Sequence, residues 1–311
     1  MASLMLPAQV PTAENDALRI HVDEFATTLG ERLADRANAP QAGEVVLYWL
    51  GQAGFVIDCD GLRMLIDPYL SDSLAEKYRG TRYPHVRMMA APLAPSDLDR
   101  LDLVLCTHRH TDHMDPGTLQ PLAQRFPELR FVVPAASVDE GIKRCGVGMD
   151  RLIPVSADSR VHVLENCVVE PIASAHETLD ADEKGQHPWL GYVIEACGVR
   201  LYHSGDCVPY AELAGRIAQR QPDLALLPVN GRDEARSGNG VPGNFTLAEA
   251  VELMKEAQVP AMIAHHYGLF DFNTISPEEI DARIAAQERG ACEFFRAQTQ
   301  RAWRLVKTGR A

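Results

Sequence analysis

The sequence contains no Cys-x-x-Cys pair, and its seven cysteines stand far apart along the chain. Cysteine zinc sites usually need such close pairs, and a disulfide framework needs an even, regularly spaced set. The residues after Met1 lack the basic segment and the long apolar segment of an export signal. We therefore expect reduced thiols in a cytoplasmic protein rather than a secreted, disulfide-bonded one.

Positive charge is also scarce, since 30 lysines and arginines face 43 aspartates and glutamates, for a formal net charge of −13. An acidic surface repels phosphate backbones, which disfavours nucleic acid as a partner. The richest basic stretch, KYRGTRYPHVR at residues 77–87, is too short to follow a duplex but could hold a small anion. A small-molecule substrate is thus the expected partner, while assembly into a homo-oligomer stays open.

Two further absences narrow the class of protein. No apolar run approaches the length that a membrane span requires. The motif G-x-S-x-G is missing, which disfavours a serine hydrolase of the nucleophile-elbow type. What remains is a chain of 311 residues, 46% of them hydrophobic, that is long enough to bury a substantial core.

The first part of the chain changes its pattern near residue 40. Residues 15–36 carry apolar side chains at roughly helical spacing, which predicts a helix within an N-terminal extension over residues 1–42. The stretches VVLYWLG (45–51) and GFVIDCDGLRMLIDP (54–68) are short and β-rich, and an Asp-Gly turn at 60–61 interrupts the second. They predict a meander of antiparallel strands.

An internal repeat organises the rest of the chain. GFVIDCDGLR at residues 54–63 returns as GYVIEACGVR at residues 191–200, with Gly, Val, Ile, Gly and Arg identical in register. Each copy leads to an aspartate at the end of its second predicted strand, namely Asp67 and Asp206. Two similar hairpins of unrelated origin would explain this pattern equally simply, but the order of the following elements favours two related halves.

After each copy comes another apolar strand, LDLVLC at 101–106 and PDLALL at 222–227. Two such halves, each a β-sheet with helices on its outer face, would pack into a four-layered αββα sandwich. We predict this α/β fold as a single domain over residues 1–311, with the halves meeting near residues 155–165.

Three segments are typical of helices. Asp115 stands where an N-cap is expected, and Pro116 follows at the first helical position. Residues 245–257 and 276–290 also show helical spacing and have a threonine or serine near their start.

The stretch CTHRHTDHMDPG (106–117) lies between a predicted strand and the helix capped by Asp115. Four of its side chains can bind metal: His108, His110, Asp112 and His113. Imidazoles with a carboxylate suit zinc, iron or manganese, and the lack of a cysteine ligand argues against a structural zinc site. A tight loop could turn His108 and His110 toward one metal, with Asp112 and His113 facing another. The alternative is a solvated, histidine-rich loop.

Other candidate ligands follow strand-like runs in the same way. VVEPIASAH ends at His176, VRLYHSGD ends at Asp206, and VPAMIAHHYG contains His265 and His266. If these strand ends gather at one edge of the sandwich, their side chains would join the histidine loop. Two metals held close together need about seven ligands with one shared bridge, and this set supplies them.

The ordered series of Asp67, H-x-H-x-D-H, His176, Asp206 and His266 resembles the five motifs of the metallo-β-lactamase fold superfamily, over residues 45–267. YWLGQAGFVI, THRHTDHMD, LYHSGD and AHHYG are similar to the L-ascorbate-6-phosphate lactonase-like branch. That branch shares features with the phospholipase D-type phosphodiesterases of the same fold. The lactonase that names the branch lacks a histidine in the region of His176, so its substrate and metal occupancy do not carry over directly.

The resemblance implies a role for each motif residue. The implied ligands are His108, His110 and His176 for a first metal, Asp112, His113 and His266 for a second, and Asp206 as the bridge between them. Asp67 would orient a ligand histidine, and Asp112 would also take part in proton transfer; we count both as candidate catalytic residues. His265 would be a packing or supporting residue, although the sequence alone does not decide between it and His266.

The expected cofactor is a pair of divalent ions, with zinc or manganese favoured and iron as a further option. A hydroxide bridging two such ions is a nucleophile at neutral pH, because bound cations lower the pKa of water. The leading hypothesis is therefore a metal-dependent hydrolase that opens a lactone, or cleaves a related ester, of a small anionic substrate. The alternatives are a phosphodiesterase and a non-hydrolytic protein, either an iron oxidoreductase or a metal-binding protein.

Four residues near the predicted metal edge are candidates for substrate binding. Asn230 and Arg232 follow a predicted strand, Arg109 lies inside the histidine motif, and Tyr267 follows a candidate ligand. An arginine could bind a phosphate or carboxylate group of the substrate. The alternative is that these arginines are ordinary surface residues.

Overall fold

The first β-sheet combines an antiparallel and a parallel part. The computed structural model describes residues 17–287 and 292–308. Within these residues the strands of the first sheet are β1 (Ala17–Glu24), β2 (Glu44–Gly51), β3 (Gly54–Cys59), β4 (Leu62–Ile66), β5 (Leu103–Leu105), β6 (Arg130–Pro134), β7 (Leu152–Val155) and β15 (Arg301–Thr308). Their order is β1-β15-β2-β3-β4-β5-β6-β7, antiparallel as far as β4 and parallel from β4 to β7.

The second sheet repeats this plan. Its described strands are β8 (Val161–Leu164), β9 (Cys167–Ala173), β10 (Leu190–Ala196), β11 (Val199–His203), β12 (Leu224–Pro228), β13 (Ala261–His265) and β14 (Glu293–Arg296). Their order is β14-β13-β12-β11-β10-β9-β8, antiparallel from β8 to β11 and parallel from β11 to β14. The two copies of the internal repeat form the hairpins β3–β4 and β10–β11, and each hairpin is followed by a parallel strand.

Helices cover the outer faces of both sheets. Those described are α1 (Leu29–Ala34), α2 (Ser73–Lys77), α3 (Pro116–Arg125), α4 (Val138–Cys145), α5 (Leu213–Arg220), α6 (Glu234–Ser237), α7 (Leu247–Glu256) and α8 (Pro277–Ala285). None of the described helices is long and apolar enough to cross a membrane. Helix α3 begins as predicted, since the Asp115 carboxylate accepts a hydrogen bond from the Gly117 N–H. Helices α7 and α8 confirm the other two predicted segments, although residues 288–290 lie outside the described residues.

The core shows why the sheets form a sandwich. Alternate residues of a strand point to opposite faces. Val45 and Leu47 of β2 belong to the apolar cluster shared by the two sheets, whereas Val46 and Tyr48 pack under the helices of the first half. Both faces of the strand are thus buried, and the predicted αββα layering is confirmed. The chain passes from one sheet to the other between Val155 and Val161.

The predicted N-terminal helix over residues 15–36 is wrong for most of its length. Residues Ala17–Glu24 form β1, which pairs antiparallel with β15 along its whole length, and the helix is limited to Leu29–Ala34. Leu18 and Ile20, two residues apart, pack partly buried against the core. Main-chain pairing with β15 therefore outweighed a weak helical spacing. A capping box between Thr28 and Glu31 starts the short helix.

Candidate metal centre

The loop between β5 and α3 supplies four of the predicted ligands. His108 and His113 are almost wholly buried, while His110 and Asp112 are half-buried and line a cleft above them. The His113 and Met114 N–H groups both donate to the His110 carbonyl, at 3.1 and 2.8 Å, so the loop closes in a single tight turn. The turn brings all four side chains to one side of the sheet edge.

Strand ends from both halves complete the site. Two groups of donor atoms form, each within 4.8 Å: His108, His110, His176 and Asp206 in one, and Asp112, His113 and His266 in the other. We call these the first and the second cluster. All seven ligands that the sequence predicted therefore gather at one edge of the sandwich.

Asp206 lies between the two clusters. Its Oδ1 atom is 3.2 Å from His113 Nε2 and 3.1 Å from His266 Nε2, both in the second cluster. Its Oδ2 atom lies 3.8 Å from His176 Nε2, in the first cluster. Two ligands of one tetrahedral zinc ion lie about 3.3 Å apart, given metal–ligand distances near 2.0 Å. One carboxylate thus offers one oxygen to each cluster, which is the geometry of a bridging ligand.

Several candidate donor atoms are buried and have no hydrogen-bond partner in the described part of the chain, as expected of atoms that bind a metal ion. His108 Nε2, His113 Nε2, His266 Nε2 and Asp206 Oδ1 are buried and make no hydrogen bond of acceptable geometry within the described residues. Buried polar atoms without a partner are rare, because their desolvation is not compensated. Imidazole nitrogens and carboxylate oxygens are ligands for zinc, manganese and iron. The residues present therefore fit a site for divalent metal.

Local electrostatics keep three of the candidate ligands, His108, His110 and Asp206, in the forms that bind metal. Burial lowers the pKa of His108 well below its ordinary value and lowers the pKa of His110 to about 4, so both rings are neutral at pH 7. Burial acts to raise the pKa of Asp206, but the adjacent His266 and His113 hold it well below the ordinary range. Neutral imidazoles and an ionised carboxylate are the forms that coordinate a cation.

Asp67 orients two of the histidines and belongs to neither cluster. Its Oδ2 atom lies 2.7 Å from His113 Nδ1 and accepts a 2.6 Å hydrogen bond from the Thr107 hydroxyl, which in turn lies 3.0 Å from His108 Nδ1. Its Oδ1 atom accepts from the Thr107 N–H. These contacts occupy the Nδ1 side of both rings and leave Nε2 for a metal. These contacts suit the predicted role of Asp67 in orienting a ligand histidine, which stays a prediction.

Gln52 was missed by sequence reasoning. Its side-chain amide donates a 2.9 Å hydrogen bond to Asp112 Oδ2, and its carbonyl accepts a 2.9 Å bond from the His266 N–H. Gln52, Asp67 and His266 all adopt a left-handed backbone, with φ of 50°, 45° and 63°. Non-glycine residues avoid this conformation, and such strain concentrates at functional sites. A glutamine in a turn gives no sequence pattern that would have revealed this role.

Trp189 was missed as well. Its ring stacks on His176 at 4.6 Å between centroids and lies 5.0 Å from each of His108 and His110. The indole thus packs against all three histidines of the first cluster. One tryptophan before the second repeat carries no signal of such a contact.

The two adjacent histidines of the AHHYG motif occupy different positions. His266 lies in the second cluster, whereas His265 packs behind it, stacked on His203 at 5.0 Å and edge-on to Phe55 at 5.5 Å. His203 accepts a hydrogen bond from the Gly205 N–H at Nδ1 and lies 2.8 Å from the Ala53 carbonyl at Nε2. His266 therefore lies among the candidate ligands and His265 packs behind them, so His266 as the ligand stays a prediction.

Two predicted substrate contacts are contradicted by the structure. Arg232 binds Glu249 with both guanidinium nitrogens, at 2.6 Å each, and so supports the start of α7. The Tyr267 ring stacks on Trp49 at 5.2 Å, and its hydroxyl donates to the Ala297 carbonyl. Neither side chain lines the cleft over the clusters. Position after a strand identified the correct edge of the sheet but not the direction of these side chains.

The other two predicted contacts lie at or behind the cleft. Arg109 is exposed on the cleft wall, with its guanidinium 5.7 Å above the Trp189 ring. Asn230 is buried and donates a 2.7 Å hydrogen bond to Asn273 Oδ1, and Asn273 lines the cleft. Arg109 can therefore touch a substrate, whereas Asn230 supports a residue that can.

The cleft itself has a volume of about 530 Å³ and opens directly over the clusters. Its floor includes His110, Asp112, His176 and Asp206. The basic stretch at 77–87 forms part of one wall, close to where the sequence suggested an anion could bind. A small organic molecule fits this volume, and its polar head would meet the donor atoms on the floor.

Comparison with known proteins agrees with this architecture. A family model described as "Beta-lactamase superfamily domain" matches residues 62–267, which is more than half of the chain. A UPF0173 metal-dependent hydrolase from Myxococcus xanthus is 27% identical over 254 residues, covering 79% of this chain and 78% of that protein. The solved structure of Igni18, a metallo hydrolase from Ignicoccus hospitalis, superimposes with a TM-score of 0.60 at 18% identity, covering 86% of this chain and all of that one.

A further relative has a more specific description. The mitochondrial N-acyl-phosphatidylethanolamine-hydrolyzing phospholipase D of Saccharomyces cerevisiae is 25% identical over 288 residues, covering 86% of this chain but 58% of that protein. The fold and the donor set define the class: a metal-dependent hydrolase built on an αββα sandwich. Within that class, the chain belongs to the metallo-β-lactamase superfamily.

Proposed function

We propose that the protein opens a lactone, or cleaves a related ester, of a small anionic substrate. The observation that carries the proposal is the position of Asp206, which offers one oxygen to each of two histidine clusters on the floor of a cleft. A bridging carboxylate between two three-residue sets is suited to a pair of metal ions rather than to one. The resemblance of YWLGQAGFVI, THRHTDHMD, LYHSGD and AHHYG to the lactonase-like branch supports the lactone.

In this proposal each cluster would hold one metal ion. The first ion would be held by His108, His110 and His176, and the second by Asp112, His113 and His266, with Asp206 shared. When bound, two divalent ions would supply Lewis acidity and lower the pKa of a bound water, zinc or manganese being favoured. Burial of the donors excludes bulk water, which strengthens every electrostatic interaction inside the cleft.

Asp112 is the residue proposed to move the proton. It lies on the cleft floor, and Gln52 holds its Oδ2 atom. Burial acts to raise its pKa, but the nearby His113, His266 and His110 together lower it, so the carboxylate is ionised at pH 7. An ionised carboxylate at this place can accept the proton of the attacking water and return it to the leaving alkoxide. Arg109 would contact the part of the substrate that does not react.

A phosphodiesterase is the second candidate function. The yeast phospholipase D relative supports it, and so does an apolar surface beside the basic wall of the cleft. Val86 and Met88 are exposed by 63% and 61%, although large apolar side chains are normally buried. An exposed apolar surface near the site is what a lipid substrate would need.

The seven unpaired cysteines support, for either function, a reducing compartment such as the cytoplasm.

The test compares substrates and metals on one preparation. Metal-stripped protein is reconstituted separately with Zn²⁺, Mn²⁺ and Fe²⁺ and assayed on lactones, sugar-phosphate lactones, phosphodiesters and N-acyl phospholipids. His108→Ala serves as the site variant, and His162→Ala, an exposed histidine of β8, serves as its control.

The possible results separate the hypotheses. Lactone hydrolysis that needs metal and is lost only in His108→Ala supports the leading proposal. Turnover confined to phosphodiesters or phospholipids would replace it with the second candidate. Two bound metals with no turnover of any substrate in the panel would leave the metal site in place and overturn both the lactone and the phosphodiester proposals.

A further inference from the structure

Three cations line the cleft without a salt bridge to a carboxylate of the described residues. Lys77, Arg82 and Arg109 all lie on its walls, and no carboxylate of the described residues is within 4.0 Å of any of them. A fourth cation of the cleft, Arg144, is instead paired with Glu140 at 2.7 Å. On a chain with a net charge of −13, three unpaired cations around one cleft form a local exception to the charge of the whole.

Two of these cations are held by an aromatic wall. The Lys77 ammonium lies 4.9 Å above the Tyr78 ring, and the Arg82 guanidinium lies 5.4 Å from the Tyr83 ring. Tyr78 stacks on His85 at 4.3 Å. Cation–π contacts of this kind orient a charged group without neutralising it. The wall therefore presents two charges in a restricted geometry.

The third cation, Arg109, lines the same cleft from the histidine loop, a different segment of the chain. Arg109 lies over Trp189, and that ring is stacked on His176 of the first cluster. Arg82 is also tied to another residue of the cleft lining, since its Nη1 atom donates a 3.0 Å hydrogen bond to Asn239 Oδ1. This bond uses one of the five guanidinium N–H groups, so donors remain for a ligand. The cations thus surround the cleft mouth, while the metal-binding atoms occupy its floor.

We propose that Lys77, Arg82 and Arg109 form a subsite for an oxyanion group of the substrate, a phosphate or a carboxylate remote from the ester that is cleaved. The inference rests on the proposed function, because it assigns the substrate class of the same cleft. Convergent cations beside aromatic rings attract an anion and hold it by charge-assisted hydrogen bonds. The subsite fixes one end of the substrate at the mouth, and the scissile bond then reaches the floor.

The test measures binding rather than turnover, so that it does not depend on the reaction. Isothermal titration of the zinc-loaded full-length protein uses three probes that contain no lactone: ribose 5-phosphate, ribonate and ribose. The first two carry the two candidate oxyanions, and ribose is the uncharged control. The variants are Lys77→Met with Arg82→Gln, and separately Arg109→Gln on the histidine loop.

Arg79→Gln provides the matched control. Arg79 is an exposed cation of the same segment, but it lines the neighbouring surface groove and not the cleft. Metal content and thermal unfolding are measured for every variant, and Arg109→Gln keeps the test valid should the double variant lose metal.

We expect at least one anionic probe to bind more tightly than ribose, and its affinity to fall about tenfold or more in the double variant and in Arg109→Gln. Arg79→Gln should leave the affinity unchanged, and added salt should weaken binding of the anion but not of ribose. Equal affinity in wild type and variants would mean that the anion binds the metals alone, and would overturn the inference. Failure of both anions to bind metal-loaded wild type would overturn it too. Binding that behaves as expected without hydrolysis of any ester would leave the subsite in place and reject the proposed function.

Discussion

His203 Nε2 lies 2.8 Å from the carbonyl oxygen of Ala53, and this hydrogen bond joins the end of β11 in the second sheet to the β2–β3 turn of the first. Both partners neighbour residues of the metal centre. Gly205, which donates to His203 Nδ1, precedes Asp206, and Ala53 follows Gln52, which holds Asp112 and His266. One buried imidazole therefore sets the distance between loops that come from opposite halves of the molecule.

Replacing His203 with leucine should loosen this connection. The Ala53 carbonyl and the Gly205 N–H would lose their partner in a buried place, at a cost of about 1–3 kcal/mol in the free energy of unfolding. We also expect weaker zinc binding, because the ligands are no longer held at matching distances. Urea unfolding and zinc titration measure the two effects. His203→Gln, which keeps an amide donor, should recover part of both, and zinc affinity unchanged in His203→Leu would reject the positioning role.

Replacing Asp67 shows how much the orientation of the histidine rings contributes to metal binding. In Asp67→Ala, His113 and Thr107 lose their acceptor, and the imidazoles can rotate away from the clusters. Loss of such an outer partner typically lowers metal affinity about 10–100-fold. Competition with a chelator measures the affinity, and Asp60→Ala, in the β3–β4 turn, is the control. A fully retained affinity in Asp67→Ala would show that the ring orientations are set elsewhere.

The metal-free protein should lose stability as the pH falls from about 6.5 toward 4. Burial lowers the pKa of His110 to about 4, against 6.5 for the ordinary group, and it also lowers the pKa values of His108 and His176. Between these pH values the unfolded chain binds more protons, so the free energy of unfolding rises with pH.

His113 affects the pH dependence of stability in the opposite direction. Burial acts to lower the pKa of His113, but Asp206, Asp67 and Asp112 raise it well above its ordinary value, and its contribution is present below pH 6.5 and lost at higher pH. Urea unfolding of the chelator-treated protein at a series of pH values measures the combined effect of these histidines on the free energy of unfolding. We expect His110→Gln to flatten the rise between pH 4 and 6.5 by roughly 1–3 kcal/mol. An equally steep rise in that variant would mean that His110 is not held neutral by the fold.

Sequence reasoning identified candidate metal ligands that the structure brings together, because their chemistry and their order are both unusual. Histidines and aspartates that follow apolar runs could be assigned to one edge, since strand ends of an αββα sandwich meet there. The same reasoning was wrong for Arg232 and Tyr267, because position after a strand does not determine the direction of a side chain. It could not find Gln52 or Trp189, whose roles depend on contacts between distant segments.

The fold, too, could be predicted from the sequence only in part. The hairpin repeat identified two halves, since the spacing of glycine and apolar residues is local and recurs. The strand β1 could not be identified, because its conformation depends on pairing with β15, almost 300 residues away in sequence. Tertiary pairing of this kind overrides local spacing.

Gln52 should affect turnover through Asp112. In Gln52→Met the 2.9 Å hydrogen bond to Asp112 Oδ2 is lost, while the volume of the side chain is kept. We expect kcat to fall about tenfold, since one charge-assisted hydrogen bond that positions a proton carrier is removed. Steady-state kinetics on the substrate found by the panel above, at measured metal content, provide the test. Gln287→Met, in the segment after α8, is the control. An unchanged kcat would show that Asp112 needs no such support.

Trp189 offers a direct optical test of the first cluster. The chain has three tryptophans. Trp189 stacks on His176, whereas Trp49 stacks on Tyr267 and Trp303 is buried in the core. Metal binding to His176 and His108 changes the charge next to the indole ring of Trp189, so its emission should change on titration with zinc.

The variant Trp189→Phe isolates this signal. It should abolish most of the zinc-dependent change while Trp49 and Trp303 continue to emit. A small residual change is expected from Trp49, because its indole N–H donates a 3.0 Å hydrogen bond to the Gln52 carbonyl, beside the second cluster. Phenylalanine keeps an aromatic contact with the histidines, so zinc should still bind. A zinc-dependent signal of full size in Trp189→Phe would place the bound metal away from His108, His110 and His176, and would require the ligand assignment of the first cluster to be revised.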